Sequence, residues 1–65
     1  MKIILNGKEK EISVKTVGSL IKELTLNIRN IVVEINGEII HREKYEEVSL
    51  NENDQIEIIQ FVGGG

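Results

Sequence analysis

Two Asn-Gly dipeptides constrain the fold of this chain more than any other feature, because each follows a short apolar run. Asn6-Gly7 follows Ile3-Ile4-Leu5, and Asn36-Gly37 follows segment 31–35, in which every residue except Glu34 is apolar. Asn and Gly both tolerate positive φ, which the tight two-residue turn of a β-hairpin requires. The sequence therefore predicts two hairpins, with strands over 2–6, over 8–14 (where Ile12 and Val14 alternate with polar residues), over 31–35 and over 38–40.

The segment between the hairpins has the apolar spacing of a helix. Thr16 is a suitable N-cap, because its hydroxyl can accept a hydrogen bond from an amide of the first turn. Apolar residues then recur at intervals of three and four, at Val17, Leu20, Ile21, Leu24 and Ile28. This stripe predicts an amphipathic helix facing the sheet. The periodicity decays after Leu24, so we predict a loop over 27–30 with Leu26 and Ile28 tucked inward.

The last third of the chain predicts one more strand. Residues 41–47 lack alternation and predict a turn or a single helical turn, and the polar cluster 51–54 predicts a turn. Residues 55–62 read as a strand in which Ile56 and Ile58 alternate with polar residues. The apolar phase shifts at Ile59 and Phe61, which predicts either a bulge or burial of both faces.

The element order ββαβββ indicates an α+β fold. The first and last strands are the most apolar, so we place both in the middle of the sheet and pair them in parallel, with the helix as the crossover. This arrangement is the β-grasp, or ubiquitin-like roll: a mixed sheet of four or five strands packed on one helix. We expect a β-grasp domain over 1–62 and a flexible glycine tail over 63–65.

Composition excludes several function classes. The chain has no Cys and one His, so we expect no thiolate or histidine-cluster metal site. A net charge of −3 and two aromatic residues argue against nucleic acid as a partner. No apolar run exceeds three residues, so we expect no membrane span and no signal peptide, and we expect a cytoplasmic location.

Catalysis by the chain itself is not expected either. A serine triad would need His41 and the single Asp, Asp54, to converge on one of the serines. No nucleophile-elbow motif supports that convergence. We therefore predict that the chain is not an enzyme.

The three terminal glycines, Gly63, Gly64 and Gly65, carry the functional hypothesis. A frayed end is the simplest explanation of such a tail, since chain ends are commonly disordered. The alternative is that the carboxylate of Gly65 reacts after conversion to an acyl-adenylate, which gives this poor electrophile a leaving group. Gly63 and Gly64 lack Cβ atoms, so they can thread a narrow channel in any backbone conformation.

Taken together, these segments resemble the ThiS-type sulfur carriers of thiamin biosynthesis over essentially the whole chain. The matching pieces are 1–7, Thr16-Val17, Leu20-Ile21, Leu24, 32–40, Arg42, Tyr45, 54–59 and 61–65. Two positions depart from the family pattern, which usually has Pro where this chain has His41 and Trp where it has Tyr45. The missing Pro affects the rigidity of that turn, not the chemistry of the tail.

The resemblance implies a reaction cycle without a cofactor bound by the chain itself. An E1-like (ThiF-like) enzyme uses ATP to adenylate the carboxylate of Gly65. Sulfur from cysteine, supplied through a desulfurase, replaces AMP and leaves a C-terminal thiocarboxylate. A ThiG-like thiazole synthase then takes the sulfur. Two alternatives remain open: a MoaD-like small subunit of molybdopterin synthase, and a ubiquitin-like interaction module that is never activated.

Several side chains have competing interpretations. Phe61 and Val62 can either close the core or contact a partner, and we favour a docking contact with the activating enzyme for Phe61. His41, Arg42 and the glutamates of segment 43–47 are predicted to be solvated surface groups without metal. Tyr45 is predicted to be a partly buried packing residue with its hydroxyl in water.

Overall fold

The computed structural model describes residues 1–61, in which five strands form one mixed sheet. The strands lie in the order β2-β1-β5-β3-β4, with β1 parallel to β5 and every other neighbouring pair antiparallel. This confirms the predicted β-grasp arrangement, with the first and last strands inside the sheet. The elements are β1 (Lys2–Leu5), β2 (Lys8–Glu11), α1 (Val17–Glu23), β3 (Ile31–Ile35), β4 (Glu38–Ile40) and β5 (Gln55–Gln60), with short 3-10 turns at Ile28–Asn30 and Arg42–Lys44.

Both predicted hairpin turns are present, and their dihedral angles explain the dipeptides. Asn6 and Gly7 have φ of 49° and 83°, and Asn36 and Gly37 have φ of 51° and 88°. Positive φ at both central residues gives the turn the twist of the flanking strands. The second strand is shorter than predicted, since β2 ends at Glu11 and the chain then leaves the sheet to reach the helix.

Hydrogen bonds cap both ends of the helix, from a side chain at its N-terminus and from the backbone at its C-terminus. Thr16 Oγ1 accepts the Ser19 backbone N–H at 3.1 Å, which confirms the predicted N-cap. At the other end Thr25 has φ of 55°, and the Leu26 N–H donates to the Ile21 carbonyl at 3.1 Å. This αL cap stops the helix at Glu23. Ile28 therefore lies outside the apolar stripe and is 44% exposed, so the prediction that it is tucked inward was wrong.

The core lies between α1 and one face of the sheet. It is built mainly from β-branched side chains, which suit a pleated and half-buried surface. Seven of its twelve apolar residues are Ile. The twelve are Ile3, Ile12, Val17, Leu20, Ile21, Ile31, Val33, Ile35, Tyr45, Leu50, Ile56 and Ile58. No helix within residues 1–61 has the length and apolar character needed to cross a bilayer.

Strand β5 is bound on both edges by the side chains of the turn asparagines. Asn6 Oδ1 accepts the Ile58 N–H at 2.8 Å, and Asn6 Nδ2 donates to the Ile58 carbonyl at 3.3 Å. Asn36 Oδ1 accepts the Gln55 N–H at 3.0 Å, and its Nδ2 donates to the buried carboxylate of Asp54 at 3.1 Å. Each turn asparagine thus also acts as a long-range clamp, a role that the sequence did not reveal.

The apolar side chains of β5 change from one face of the strand to the other at Ile59, and the reason differs from the two that were predicted. The register with β3 is unbroken from Ile31 opposite Gln60 to Ile35 opposite Ile56, so this strand contains no bulge. Ile59 is 49% exposed on the face away from the helix. Both alternatives, a bulge and burial of both faces, were therefore wrong.

The Asn6 clamp can be tested separately from its turn. Aspartate tolerates the same positive φ and keeps an acceptor for the Ile58 N–H, but it cannot donate to the Ile58 carbonyl. We expect Asn6→Asp to lower the free energy of unfolding by about 1–2 kcal/mol, measured by chemical denaturation.

The matched control is Asn53→Asp. Asn53 also has positive φ (69°), but its side chain makes no hydrogen bond to the rest of residues 1–61. We expect this change to stay within about 0.5 kcal/mol of the parent. Equal losses in the two variants would contradict the clamp.

Candidate carrier site at the end of the last strand

Strand β5 runs through the middle of the sheet and delivers the chain to its C-terminal segment. It has β1 on one side and β3 on the other. The Phe61 N–H donates to the Asn30 carbonyl at 2.8 Å, which holds the backbone against the sheet up to the last described residue. The tail therefore starts from a backbone fixed by hydrogen bonds.

The predicted tail residues lie outside the described part of the chain. These are the reactive Gly65, the threading residues Gly63 and Gly64, and the predicted partner contact Val62. Their roles remain predictions. What the structure describes is the strand that leads to them and the surface beside it.

Phe61 is placed on the surface. Its side chain is 61% exposed, so it does not close the core. Ile59, two residues earlier on the same face, is 49% exposed, and Ile39 on β4 is 60% exposed. The predicted docking role of Phe61 is compatible with this exposure and stays a prediction.

Sequence reasoning missed two carboxylates beside these apolar residues. Glu34 of β3 lies directly opposite Glu57 of β5, and Ile39 lies opposite Glu34 on its other side. Both glutamates sit in the polar phase of strands whose other phase is buried. The alternation together with the hairpin register could have brought them together.

The surface residues of segment 41–47 are exposed, as predicted. His41 precedes a 3-10 turn without capping it, and Arg42 is exposed. Glu46 pairs with Lys22 at 3.6 Å and Glu47 with Lys44 at 3.8 Å. Within residues 1–61 no cluster of three His, Asp or Glu side chains could hold a metal ion.

Tyr45 is buried more deeply than the sequence indicated. Its side chain is 5% exposed and belongs to the core, and its carbonyl accepts the Gly18 N–H at 2.8 Å. Burial raises the pKa of the Tyr45 hydroxyl, and the nearby charge of Arg42 lowers it by a smaller amount. Tyr45 therefore fastens segment 41–47 to the first turn of α1, which is a structural role.

The described part of the chain also has two surface depressions that are large enough to hold a small ligand. The larger, of about 410 Å³, is lined by Met1, Ile12, Ser13, Val14, Lys15, Ser49 and Leu50. A second, of about 220 Å³, borders the end of β5 and is lined by Leu5, Asn6, Leu24, Leu26, Ile58 and Gln60. Neither lining combines a nucleophile with a carboxylate or imidazole base, which is the arrangement that activates such a group.

Comparison with known proteins agrees with this picture. The sequence model of the ThiS family matches residues 3–65. A sulfur carrier protein ThiS of Bacillus subtilis (strain 168) is 43% identical over 94% of this chain and 96% of its own length. A thiazole synthase of Paramagnetospirillum magneticum is 41% identical over the whole chain. This chain spans about a fifth of the length of that protein and of a second thiazole synthase, from Magnetococcus marinus, with 38% identity.

Two solved structures of a related protein have the same fold as this chain. The crystal structure of a thiamine biosynthesis protein (ThiS) from Geobacter metallireducens superposes with a TM-score of 0.84 and 29% identity, and the match covers both chains completely. Its solution structure gives a TM-score of 0.83 and covers 88% of that chain.

The mixed five-stranded sheet packed on α1 defines this chain as a β-grasp domain. The match of the family model across residues 3–65, together with the Bacillus relative, is specific to one family of such domains. The chain therefore belongs to the ThiS family.

The raised pKa of Tyr45 predicts a pH dependence of stability. An unfolded tyrosine ionises near pH 10, whereas burial holds Tyr45 neutral to higher pH in the folded state. Above pH 10 the unfolded state therefore binds fewer protons, so stability falls with rising pH. The contribution is complete below pH 10 and is lost as pH rises toward the folded pKa.

We expect the stability of the parent chain to fall more steeply than that of Tyr45→Phe between about pH 10 and pH 11.5. The measurement is urea denaturation at several pH values. Lysine titration affects both proteins alike and cancels in the difference. Identical pH profiles would show that Tyr45 is not buried as described.

Proposed function

We propose that the carboxylate of Gly65 is the group that carries sulfur. An E1-like enzyme transfers AMP from ATP to this carboxylate and releases pyrophosphate. The terminal sulfur of a persulfide, formed from cysteine by a desulfurase, displaces AMP and gives an acyl disulfide. A thiol then reduces the S–S bond, which releases the thiocarboxylate and leaves a disulfide. The carrier contributes no catalytic side chain, and Gly63 and Gly64 let the tail enter the narrow channels of larger enzymes.

The observation that carries this proposal is the match of the ThiS family model up to residue 65, which includes the terminal glycines. The described strand supports it in a second way. Hydrogen bonds hold the backbone as far as Phe61, and four residues can extend about 14 Å beyond it. A partner can thus reach the carboxylate while gripping a rigid body.

We propose thiazole synthase as the acceptor of the sulfur. Two relatives named thiazole synthase contain a segment that aligns with this entire chain, in addition to a much longer remainder. A carrier domain and a synthase in one polypeptide meet at high effective concentration. This cycle belongs in the cytoplasm, where ATP and cysteine are available.

The tail chemistry is tested by intact mass. We expect the chain, incubated with its adenylating enzyme, ATP, desulfurase and cysteine, to gain the mass difference of sulfur replacing one oxygen. Deletion of Gly65 should abolish this gain, and Gly64→Val should lower its rate at least about tenfold by blocking the channel. The proposal fails if the parent chain never gains sulfur.

The control for the tail variants is Gly18→Ala. Gly18 lies in α1, where alanine is the better helix former, and a Cβ there would meet the flexible end of the Glu46 side chain. We expect Gly18→Ala to gain sulfur at the parental rate. A loss in this control would indicate that the assay responds to folding rather than to the tail.

The docking role of Phe61 on the activating enzyme is tested separately. We expect Phe61→Ser to raise the KM for the carrier about tenfold in ATP–pyrophosphate exchange, because truncation removes an interface anchor, with less effect on kcat. Ile28→Ser is the control, since Ile28 is also an exposed apolar residue but belongs to the 3-10 turn Ile28–Asn30 and not to the chain end. Equal KM values in all three proteins would refute the contact.

A further inference from the structure

The sheet face turned away from α1 has no covering element within residues 1–61, and we call it the outer face. Core residues such as Ile3, Val33 and Ile58 occupy the opposite face. Because successive side chains alternate, the register defines the outer face. Its members include Glu34, Ile39, Glu57, Ile59 and Phe61, and on its β1–β2 half Lys2, Glu9 and Glu11.

The outer face exposes three large apolar side chains. Ile39 and Phe61 are 60% and 61% exposed, and Ile59 is 49% exposed. Ile59 lies directly opposite Val32 on the neighbouring strand. Single exposed apolar residues need no explanation, but several on one face of a small domain mark an interaction site.

The same face carries an unusual pair of charges. Glu34 and Glu57 are directly opposed across β3 and β5, where like charges destabilise a sheet. The other outer-face carboxylates have cations: Lys2 Nζ lies 3.6 Å from Glu9, and the amino group of Met1 lies 2.9 Å from Glu11. Neither Glu34 nor Glu57 forms an ion pair within the described residues.

We propose that Ile39, Ile59 and the Glu34–Glu57 pair form the docking surface for thiazole synthase, which presents an apolar patch containing an arginine. A guanidinium is planar and has several donors, so one arginine can bridge both carboxylates. The isoleucines flank this pair and exclude water from it. This proposal rests on the proposed function, because it names the surface that the sulfur acceptor recognises.

The size of the contact favours the face over the tail alone. A specific interface buries about 800 Å² on each partner, whereas this chain exposes 4547 Å² in total. Phe61 and the four residues that follow it, three of which are glycine, have too little surface to supply a contact of that size even when fully enclosed. The outer face is continuous with Phe61, so a synthase that holds the tail within its reach of about 14 Å lies beside it.

Binding to the thiazole synthase of the same organism tests the surface, with the carboxylate form of the carrier and fluorescence anisotropy as the readout. We expect Ile59→Ser to weaken binding about tenfold. We expect the double variant Glu34→Gln/Glu57→Gln to weaken binding similarly and to reduce its dependence on salt. The same double variant should unfold at a higher denaturant concentration than the parent, because the repulsion is removed.

Two controls match these variants. Ile28→Ser removes an exposed isoleucine in the 3-10 turn Ile28–Asn30, and Glu23→Gln/Glu43→Gln removes two exposed charges that form no ion pair within residues 1–61. We expect both to bind within about twofold of the parent. If Glu34 and Glu57 had a structural role, the Glu34→Gln/Glu57→Gln variant would lose stability and binding together. If they serve docking, this variant binds the synthase more weakly although it is more stable than the parent.

Three results would overturn the proposal: parental affinity in both outer-face variants, equal losses in the controls, or normal synthase binding combined with impaired adenylation. The last would assign the face to the activating enzyme. Failure of the proposed function is distinguishable, since it appears as an absence of sulfur on the parent chain. Binding of the unmodified carrier is measured without that reaction.

Discussion

The central position of β5 is the constraint on which the rest of the structure depends. This strand pairs with β1 over only two residues, Gln55 and Ile56, although it is six residues long. The turn asparagines extend the pairing, because the Asn6 amide replaces a backbone partner for Ile58 and the Asn36 amide binds the Gln55 N–H. Two local hairpins are thereby joined into one sheet by the segment that also leads to the C-terminal glycines. A residue type selected for its turn geometry also sets the long-range topology.

The elements that could be predicted are those encoded by local pattern. The two Asn-Gly dipeptides predicted the hairpins. The Thr16 cap and the apolar stripe after it predicted the helix, and the apolar character of the first and last strands predicted the strand order. The errors fall where a local signal was weak. The helix stops at a left-handed threonine, Thr25, and no Gly or Asn marks that stop. Ile28 therefore looked like a continuation of the stripe, although it lies beyond the cap.

The sequence suggests one part of the candidate site and hides another. The terminal glycines stand out because the role predicted for them is backbone chemistry, which needs no side chain, and that role stays a prediction. Ile59 of β5 was misassigned for a physical reason. An isoleucine in a core and an isoleucine on the surface have the same hydropathy, so the phase shift at Ile59 indicated a bulge or burial of both faces. Glu34 and Glu57 were not predicted as part of a site, because each is an ordinary surface glutamate until it lies opposite the other. Only the register between the distant strands β3 and β5 determines that pairing.

Small size explains why the two faces of the sheet have different tasks. A helix of seven residues is about 10 Å long and can cover one face of a five-stranded sheet, so the chain has a single core on that side. Side chains on the outer face lie outside this core, so core packing constrains their identity less. This freedom makes an opposed carboxylate pair tolerable in the middle of the sheet. The helix side holds the fold together, and the outer face is left available for the docking that we propose.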